Sequence, residues 1–266
     1  MMAPRVPASR MEVGQAMDQE RVPQELARLW RITPDAKRGR PARLDVGTVV
    51  DAAVALADRE GIAAVTLPRV AEALDVTKMS LYRHVGSKDE LLDLMRDAAQ
   101  GPVPASLAGT GPWRERLRLW AVEQLAVLDA HPWLTEVQPS GPPNGPNGID
   151  WFDAGLRTMR PTRLDWGAKV GAIMIVSGYV LSAAQLAQSL ARGREGTGMD
   201  QAAAEREYGR AMARLVDPER FPDAAALFSG GLLEDTGEDT GEQDFAFGLD
   251  LLLDGVAVAV AAAEAP

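Results

Sequence analysis

The chain has 266 residues, of which 46% are hydrophobic and 5% aromatic, so it is long enough for one large or two small folded domains. It contains no cysteine, which excludes disulfides, thiolate metal sites and cysteine nucleophiles and suits a cytoplasmic protein. The net charge is −10, yet residues 37–88 carry nine Lys and Arg against six Asp and Glu. A basic segment on an acidic chain is consistent with one end that faces nucleic acid.

The first 36 residues are rich in methionine, proline and charge, and we expect them to form a flexible N-terminal extension. No long apolar stretch follows the early arginines, so no signal peptide is expected. Residues 22–30 could form a short helix with Leu26, Leu29 and Trp30 on one side. A disordered leader is the alternative.

Residues 37–43 form a basic arm, in which Arg38, Arg40 and Arg43 are interspersed with glycine and proline. This composition disfavours a helix. Flexible arms of this kind can place arginines in a narrow A·T minor groove, and the Arg-Gly-Arg-Pro core resembles an AT-hook. We therefore predict that the arm contacts DNA, with a solvated basic linker as the alternative.

Hydrophobic periodicity and capping residues predict four helices after the arm, over residues 45–60, 66–74, 78–85 and 87–100. Asp45 and Ser87 are the expected N-caps of the first and the last, and Glu90 completes a capping box with Ser87. A tight turn joins the second helix to the third, which is typical of a helix-turn-helix. Such a motif presents its second helix to the major groove of DNA.

In the helix that such a motif would present to DNA, which is the third of the four predicted helices, Leu81 is expected to pack inward. The opposite face of this helix is then predicted to be polar and cationic, with one exposed methionine. Its outward side chains are Lys78, Met79, Tyr82, Arg83 and His84. Arg83 can donate two hydrogen bonds to guanine, and Met79 can contact a thymine methyl. Lys78 can reach a base edge or a phosphate. The pattern predicts a DNA-binding surface; a helix-turn-helix used only for packing is the alternative.

The run Leu-Tyr-Arg-His-Val at 81–85, followed by Ser-Lys-Asp-Glu-Leu-Leu at 87–92, closely resembles the signature of the TetR family of transcriptional regulators. The resemblance covers residues 44–100. It implies an all-α fold, with an N-terminal three-helix helix-turn-helix domain and a larger helical domain for ligand binding and dimerisation. Asp75 stands where the family usually has glycine in the turn, but aspartate can adopt the left-handed conformation.

The resemblance also implies roles for individual side chains. The groups expected to hold the DNA backbone are Thr66, Tyr82, His84 and Lys88. The groups expected to form the recognition surface are Lys78, Met79, Ser80 and Arg83. Since one helix-turn-helix contacts only a half-site, a homodimer on a palindromic double-stranded operator is implied.

Glycines and prolines near residue 101 indicate a domain boundary. The predicted domains are an extension at 1–36, a DNA-binding domain at 37–100 that includes the arm, and a helical domain at 101–266. In the last domain we expect helices at about 112–129, 132–138, 148–159, 163–191, 199–215 and 243–263. The proline-rich residues 139–148 and the acidic repeat at 234–241 are predicted to be loops.

The helices predicted at 163–191 and 243–263 each carry an apolar stripe with small residues that permit close packing. We predict that they pair with their symmetry mates in a four-helix dimer interface. A core within one chain is the alternative. Residues 170–191 carry no charge, but their Ser, Gln, Ala and Gly content favours a buried helix over a membrane span.

Large apolar side chains of the third domain are candidates for lining an effector pocket, because such pockets are mostly apolar. They are Trp113, Trp120, Trp133, Trp151, Phe152, Trp166, Met174 and Tyr179. Gln124 and His131 are possible polar anchors. A plain hydrophobic core is the alternative for each aromatic. Few charges fall in these helices, so the expected ligand is a small hydrophobic molecule.

No catalytic motif is present, and two histidines without cysteine leave little for metal or nucleophile chemistry. We expect no enzymatic activity, no metal site, no cofactor and no membrane association. The predicted function is a dimeric repressor that binds an operator and is released by a small ligand. The alternatives are a ligand-independent or activating regulator, and a helical sequestration protein whose helix-turn-helix is unused.

Overall fold

The computed structural model describes residues 23–32, 44–137, 141–231 and 240–265, and every regular element in them is helical. In chain order the helices are α1 (Gln24–Leu29), α2 (Val46–Glu60), α3 (Leu67–Ala73), α4 (Lys78–Leu81), α5 (Lys88–Gln100), α6 (Trp113–Ala130), α7 (Pro146–Thr158), α8 (Trp166–Arg194), α9 (Gln201–Leu215), α10 (Pro222–Ser229) and α11 (Thr240–Glu264). Short 3₁₀ turns lie at Ile62–Ala64, Ala105–Ala108 and Pro132–Thr135.

The chain divides into two compact units. The N-terminal unit comprises Met1–Pro104 and Glu136–Ala154, and the C-terminal unit comprises Ala105–Thr135 and Gly155–Pro266. The boundary predicted near residue 101 puts residues 136–154 in the C-terminal domain, whereas the described residues among them group by their contacts with the N-terminal helices. Trp151 shows why, because its buried indole N–H donates to the carbonyls of Gln100 and Gly101 at the end of α5.

Helices α2 to α5 each begin at a side chain that accepts the backbone N–H three residues further on. These caps are Asp45, Thr66, Thr77 and Ser87. A capping side chain satisfies one of the unpaired donors of a first turn and contributes about 1 kcal/mol. The predicted caps Asp45 and Ser87 are confirmed, and the short helices α3 and α4 gain most from theirs.

In the turn between α3 and α4, Asp75 adopts the left-handed backbone conformation for which the family usually has glycine. Its φ is +53°, in the left-handed region. The N–H of Val76 donates to the carbonyl of Ala71 at 3.0 Å, which closes the end of α3. Aspartate thus replaces glycine in this turn without breaking the motif.

Several predicted boundaries differ from the observed ones. The helix predicted at 78–85 ends at Leu81, although the N–H groups of His84 and Val85 still donate to the Leu81 carbonyl. The helix predicted at 132–138 is a 3₁₀ turn, and α7 begins at Pro146, inside the predicted loop. Proline suits the first turn of a helix, where its missing N–H has no intrahelical partner. Helix α10 was not predicted.

In the C-terminal unit, α6, α8 and α11 pack against one another. Tyr179 of α8 stacks on Phe245 of α11, with ring centroids 5.4 Å apart, and its hydroxyl donates to the Phe245 carbonyl at 2.9 Å. Gly248 allows this approach, because a Cβ there would overlap the Tyr179 ring. Arg114 of α6 forms an ion pair with Asp254 of α11 at 2.7 Å.

Two helices of this unit keep apolar faces exposed. Among the described residues, two helices are long and apolar enough to cross a membrane, Trp166–Arg194 and Gly241–Glu264. An 18-residue window in each has a mean hydropathy of 1.7 and 1.9, respectively. Only 28% and 22% of these windows are buried, so the prediction that the first is a buried helix is wrong for a single chain. The exposed apolar side chains include Met174, Ile175, Leu186 and Leu190 on α8, and Phe247, Leu251 and Val258 on α11.

Candidate DNA-binding surface and effector region

The outer face of α4 and the turn after it carry the cationic and polar groups that the sequence predicted to face outward. Lys78, Tyr82 and Arg83 are exposed, and Met79 is 72% exposed. The Lys78 ammonium lies 5.7 Å from the centre of the Tyr82 ring, which holds the two side chains side by side. His84 is half-buried. This surface has the residue types that bind phosphates and base edges.

A helix of four residues presents these groups only because the chain around it is fixed. Leu81 and Val85 are fully buried and lie four residues apart, so they fasten the segment to the core from one side. Thr77 accepts the N–H of Ser80 and shares a 3.0 Å hydrogen bond with its hydroxyl. The Ser80 side chain is therefore half-buried and engaged in the cap.

The groups expected to hold the DNA backbone flank this face. Lys88 is exposed at the first residue of α5, where unpaired N–H groups give a partial positive charge. Thr66 is half-buried and caps α3. The arm residues Arg38, Arg40 and Arg43 lie outside the described residues.

The eight candidate pocket residues fall into different surroundings. Trp151 and Phe152 belong to the N-terminal unit and the other six to the C-terminal unit. Trp120, Trp133 and Trp151 are buried, and Gly155 allows Trp120 to pack closely, since a Cβ there would lie 2.8 Å from its ring.

The remaining candidates are less enclosed. Trp166 and Met174 are 71% and 67% exposed, so neither is enclosed by its own chain. Trp113, Phe152 and Tyr179 are half-buried. Lining of a pocket by the eight residues stays a prediction.

Polar side chains lie between α6, the following 3₁₀ turn and α8, and of these the sequence singled out only Gln124 as a possible polar anchor. The Ser177 hydroxyl donates to Gln124 at 3.0 Å, and the buried Thr135 hydroxyl lies 2.7 Å from the Gln188 side-chain oxygen. Gln185 donates to the Thr135 carbonyl at 2.9 Å. Glutamines spaced along the uncharged stretch 170–191 were the available signal, because buried amides need partners.

A cavity of about 290 Å³ lies within the N-terminal unit. Its lining comprises Leu29, Arg31, Val46, Val50, Leu94, Asp97, Ala98, Pro146 and Asn147. Burial raises the pKa of the Asp97 carboxyl, although this group accepts the Gly148 N–H at 2.9 Å. None of the predicted ligand residues lines this cavity.

Comparison with known proteins agrees with this arrangement. Residues 49–95 match the family "Bacterial regulatory proteins, tetR family", and residues 104–260 match "Tetracyclin repressor-like, C-terminal domain". The chain is 40% identical over 240 residues to the HTH-type transcriptional repressor DrrR1 of Streptomyces coeruleorubidus, covering 88% of this chain and 84% of that one. It is 31% identical to an HTH-type transcriptional regulator of Saccharopolyspora erythraea, covering 66% and 74% of the two chains.

Among solved structures, the TetR family protein ActR of Streptomyces coelicolor in complex with actinorhodin superposes with a TM-score of 0.69 at 25% identity. The match covers 82% of this chain and 98% of ActR. A helix-turn-helix unit followed by a larger helical unit defines a DNA-binding transcriptional regulator. The chain belongs to the TetR family, which consists of transcription factors rather than enzymes.

Proposed function

We propose that this protein is a homodimeric repressor that binds a palindromic operator and is released from it by a small hydrophobic ligand. The observation that carries the proposal is the exposed face of α4, which presents Lys78, Tyr82 and Arg83 on a fully capped helix-turn-helix. A repressor at 40% identity supports repression as the direction of control.

In the proposed complex, α4 lies in the major groove. Arg83 donates to a guanine, Met79 contacts a thymine methyl, and Lys78 reaches a neighbouring base or phosphate. Tyr82, His84 and Lys88 contact phosphates on either side, as does Thr66 at the start of α3. The arm at 37–43, with Arg38, Arg40 and Arg43, follows the adjacent minor groove.

The proposed dimer forms through the exposed apolar faces of α8 and α11. Each face would be unfavourable in water, and together they supply the two helices per chain that a four-helix interface needs. The charges of Asp250 and Asp254 lie on α11 and pair with Arg114 of α6. Charged groups inside a span are unfavourable in lipid, so a second copy fits these faces better than a membrane does. A cytoplasmic location follows from this function.

The proposed effector binds in the C-terminal unit, where large apolar side chains lie near the amides and hydroxyls described above. Apolar walls with a few polar anchors are typical of ligand sites. ActR, which shares the fold, was solved with actinorhodin bound. For this chain we infer a small hydrophobic molecule that favours one dimer geometry over another, since a ligand shifts an equilibrium only through differential affinity.

The test is a fluorescence-anisotropy titration of the purified protein against DNA from upstream of its own gene and against a scrambled duplex, at two salt concentrations. We expect tight, salt-sensitive binding to one palindromic segment with two protomers per site. Apolar compounds are then screened for displacement of the protein from that segment. Equal, weak binding to all duplexes, including those enriched from a random pool, would contradict the proposal.

A further inference from the structure

Helix α1 precedes the helix-turn-helix and has no part in the DNA contacts proposed above. A helix of six residues is not stable by itself in water, so tertiary contacts must hold it. Three consecutive side chains supply them. Arg28 Nε lies 3.2 Å from Glu90 Oε1, Leu29 is buried, and the Trp30 indole N–H donates to the Asn144 carbonyl at 2.7 Å.

The end of α1 is also closed tightly. The Ile32 N–H donates to the Ala27 carbonyl at 2.8 Å, and the Arg31 N–H donates to the Arg28 carbonyl at 3.0 Å. Arg31 has a φ of +51°, a conformation that non-glycine residues rarely adopt. Surrounding contacts must therefore fix this end of the helix, and they place Arg28 beside α5.

Glu90 connects Arg28 to the recognition segment. Its Oε2 accepts the Gly86 N–H at 2.7 Å, and its own N–H donates to the Ser87 hydroxyl at 3.0 Å. The Glu90 side chain is 8% exposed, and its Oε1 makes no hydrogen bond within the described residues. The ion pair with Arg28 is therefore the contact that compensates this buried charge.

The Gly86–Ser87 turn lies between the α4 face and Lys88. Its shape decides whether the recognition surface and the first residue of α5 can meet the same stretch of DNA. The carboxylate of Glu90 rests against the backbone of this turn, since a Cβ on Gly86 would lie 2.7 Å from its Oε2. A shift of Glu90 would therefore move the turn.

We propose that Arg28 is a positioning residue for operator binding, which it supports by holding Glu90 against the turn at Gly86. The inference rests on the operator binding proposed above. Arg28 acts through the protein and not through a phosphate, so its loss weakens DNA binding without changing the number of counterions released.

The first test replaces Arg28 and measures operator affinity over a range of salt concentrations. Arg28→Ala should weaken binding about fivefold, within the range of coupled contacts, and leave the salt slope unchanged. Arg28→Lys, which retains the charge, should stay within about twofold of the wild type. Arg59→Ala is the matched control, because it removes an exposed arginine that lies beside Glu60 on α2. An unchanged affinity in Arg28→Ala, or a slope reduced by about one, would overturn the proposal.

A double-mutant cycle tests the pathway through Glu90. Glu90→Gln retains an acceptor for the Gly86 N–H but removes the charge, so it should weaken binding about as much as Arg28→Ala. The double variant should be no weaker than the weaker single variant. Additive losses would show that the two residues act independently and would contradict the proposal.

Hydrogen exchange of the free protein separates this inference from the proposed function. The Gly86 amide should exchange about fivefold faster in Arg28→Ala/Glu90→Gln and in Arg28→Ala than in Arg59→Ala. An unchanged exchange rate would refute the positioning role even if the wild type binds its operator. A wild type that binds no operator would refute the proposed function and the role of Arg28 in operator binding, whereas the Gly86 exchange rate would still show whether Arg28 holds the turn.

Discussion

The helix-turn-helix and the long helices α8 and α11 differ in what they leave on the surface. The first buries most of its apolar side chains, Leu81 and Val85 among them, and exposes cations, a tyrosine and one methionine. The second pair exposes a row of large apolar groups. A single chain therefore buries the apolar core of the helix-turn-helix, and the surface that stays exposed is polar and suits a polar ligand. The long helices expose the kind of surface that a second protein chain covers.

The largest expected effect comes from a charge on the exposed face of α11. Val258 is 71% exposed, and Val258→Glu should prevent dimerisation, because the carboxylate would have to be buried unpaired in the interface. Operator affinity should fall by on the order of 100-fold, since each monomer reads one half-site. Light scattering with size-exclusion chromatography measures the mass, and anisotropy measures the affinity.

Val122→Glu is the matched control for this experiment. Val122 lies on α6, is 45% exposed and belongs to the same unit. We expect this variant to remain a dimer with nearly wild-type affinity. If Val258→Glu also remains a dimer, α11 does not form the interface, and the comparison of the two regions fails at this point.

The next effect concerns the polar surface. Arg83→Ala should weaken operator binding by about 1–3 kcal/mol, as expected for a lost bidentate contact to guanine. It should also relax the preference for the base pair that Arg83 contacts. Affinities for a set of single-base operator variants measure both changes. Equal weakening on every variant would place Arg83 on a phosphate instead.

A smaller effect is expected for the phosphate side of the same surface. Lys88→Ala should weaken binding to operator and scrambled DNA by the same factor, and it should reduce the salt slope by about one. Titrations at four salt concentrations give the slope. The outcome against this prediction is a loss confined to the operator, which would make Lys88 a reader of sequence.

The sequence predicted the helix-turn-helix well because its signals are local. Asp45 and Ser87 stand directly before their helices, and the left-handed turn at Asp75 depends on one residue. The resemblance to the family then added the roles of the exposed side chains. None of this needed knowledge of distant contacts.

The sequence predicted less where the structure depends on contacts between residues that are far apart along the chain. The buried position of Trp151 depends on carbonyls some fifty residues earlier, and Tyr179 reaches a helix 66 residues later. Hydrophobic periodicity predicts that such aromatic side chains lie on an apolar face, but it does not predict which other element that face contacts. The apolar stripe on α8 likewise predicted a partner helix, and pairing with a symmetry mate stays a prediction, because periodicity does not distinguish a partner in a second chain from one in the same chain.

The smallest expected effect concerns the stability of the N-terminal unit. Burial raises the pKa of Asp97, so the folded protein binds its proton more tightly than the unfolded chain does. The protonated Asp97 carboxyl therefore stabilises the folded state fully below the unfolded pKa, and this stabilisation is lost as pH rises through the folded pKa. Above the folded pKa the wild type carries a desolvated carboxylate. Asp97→Asn keeps an acceptor for Gly148 and should raise the melting temperature slightly, on the order of 2 °C.

Asp45 lies in the same unit, and its pKa is shifted in the opposite direction to that of Asp97. Hydrogen bonds from the Thr48 backbone and side chain lower the pKa of Asp45, so its charge stabilises the fold above the unfolded pKa, and this is lost as pH falls. Asparagine is a comparable cap, so Asp45→Asn should be slightly less stable at neutral pH and match the wild type in acid. Thermal melts of both variants between pH 3 and 7 should therefore diverge from the wild type in opposite directions as pH rises. Divergence in the same direction would mean that Asp97 is stabilised as a carboxylate, and that its contact with Gly148 outweighs its burial.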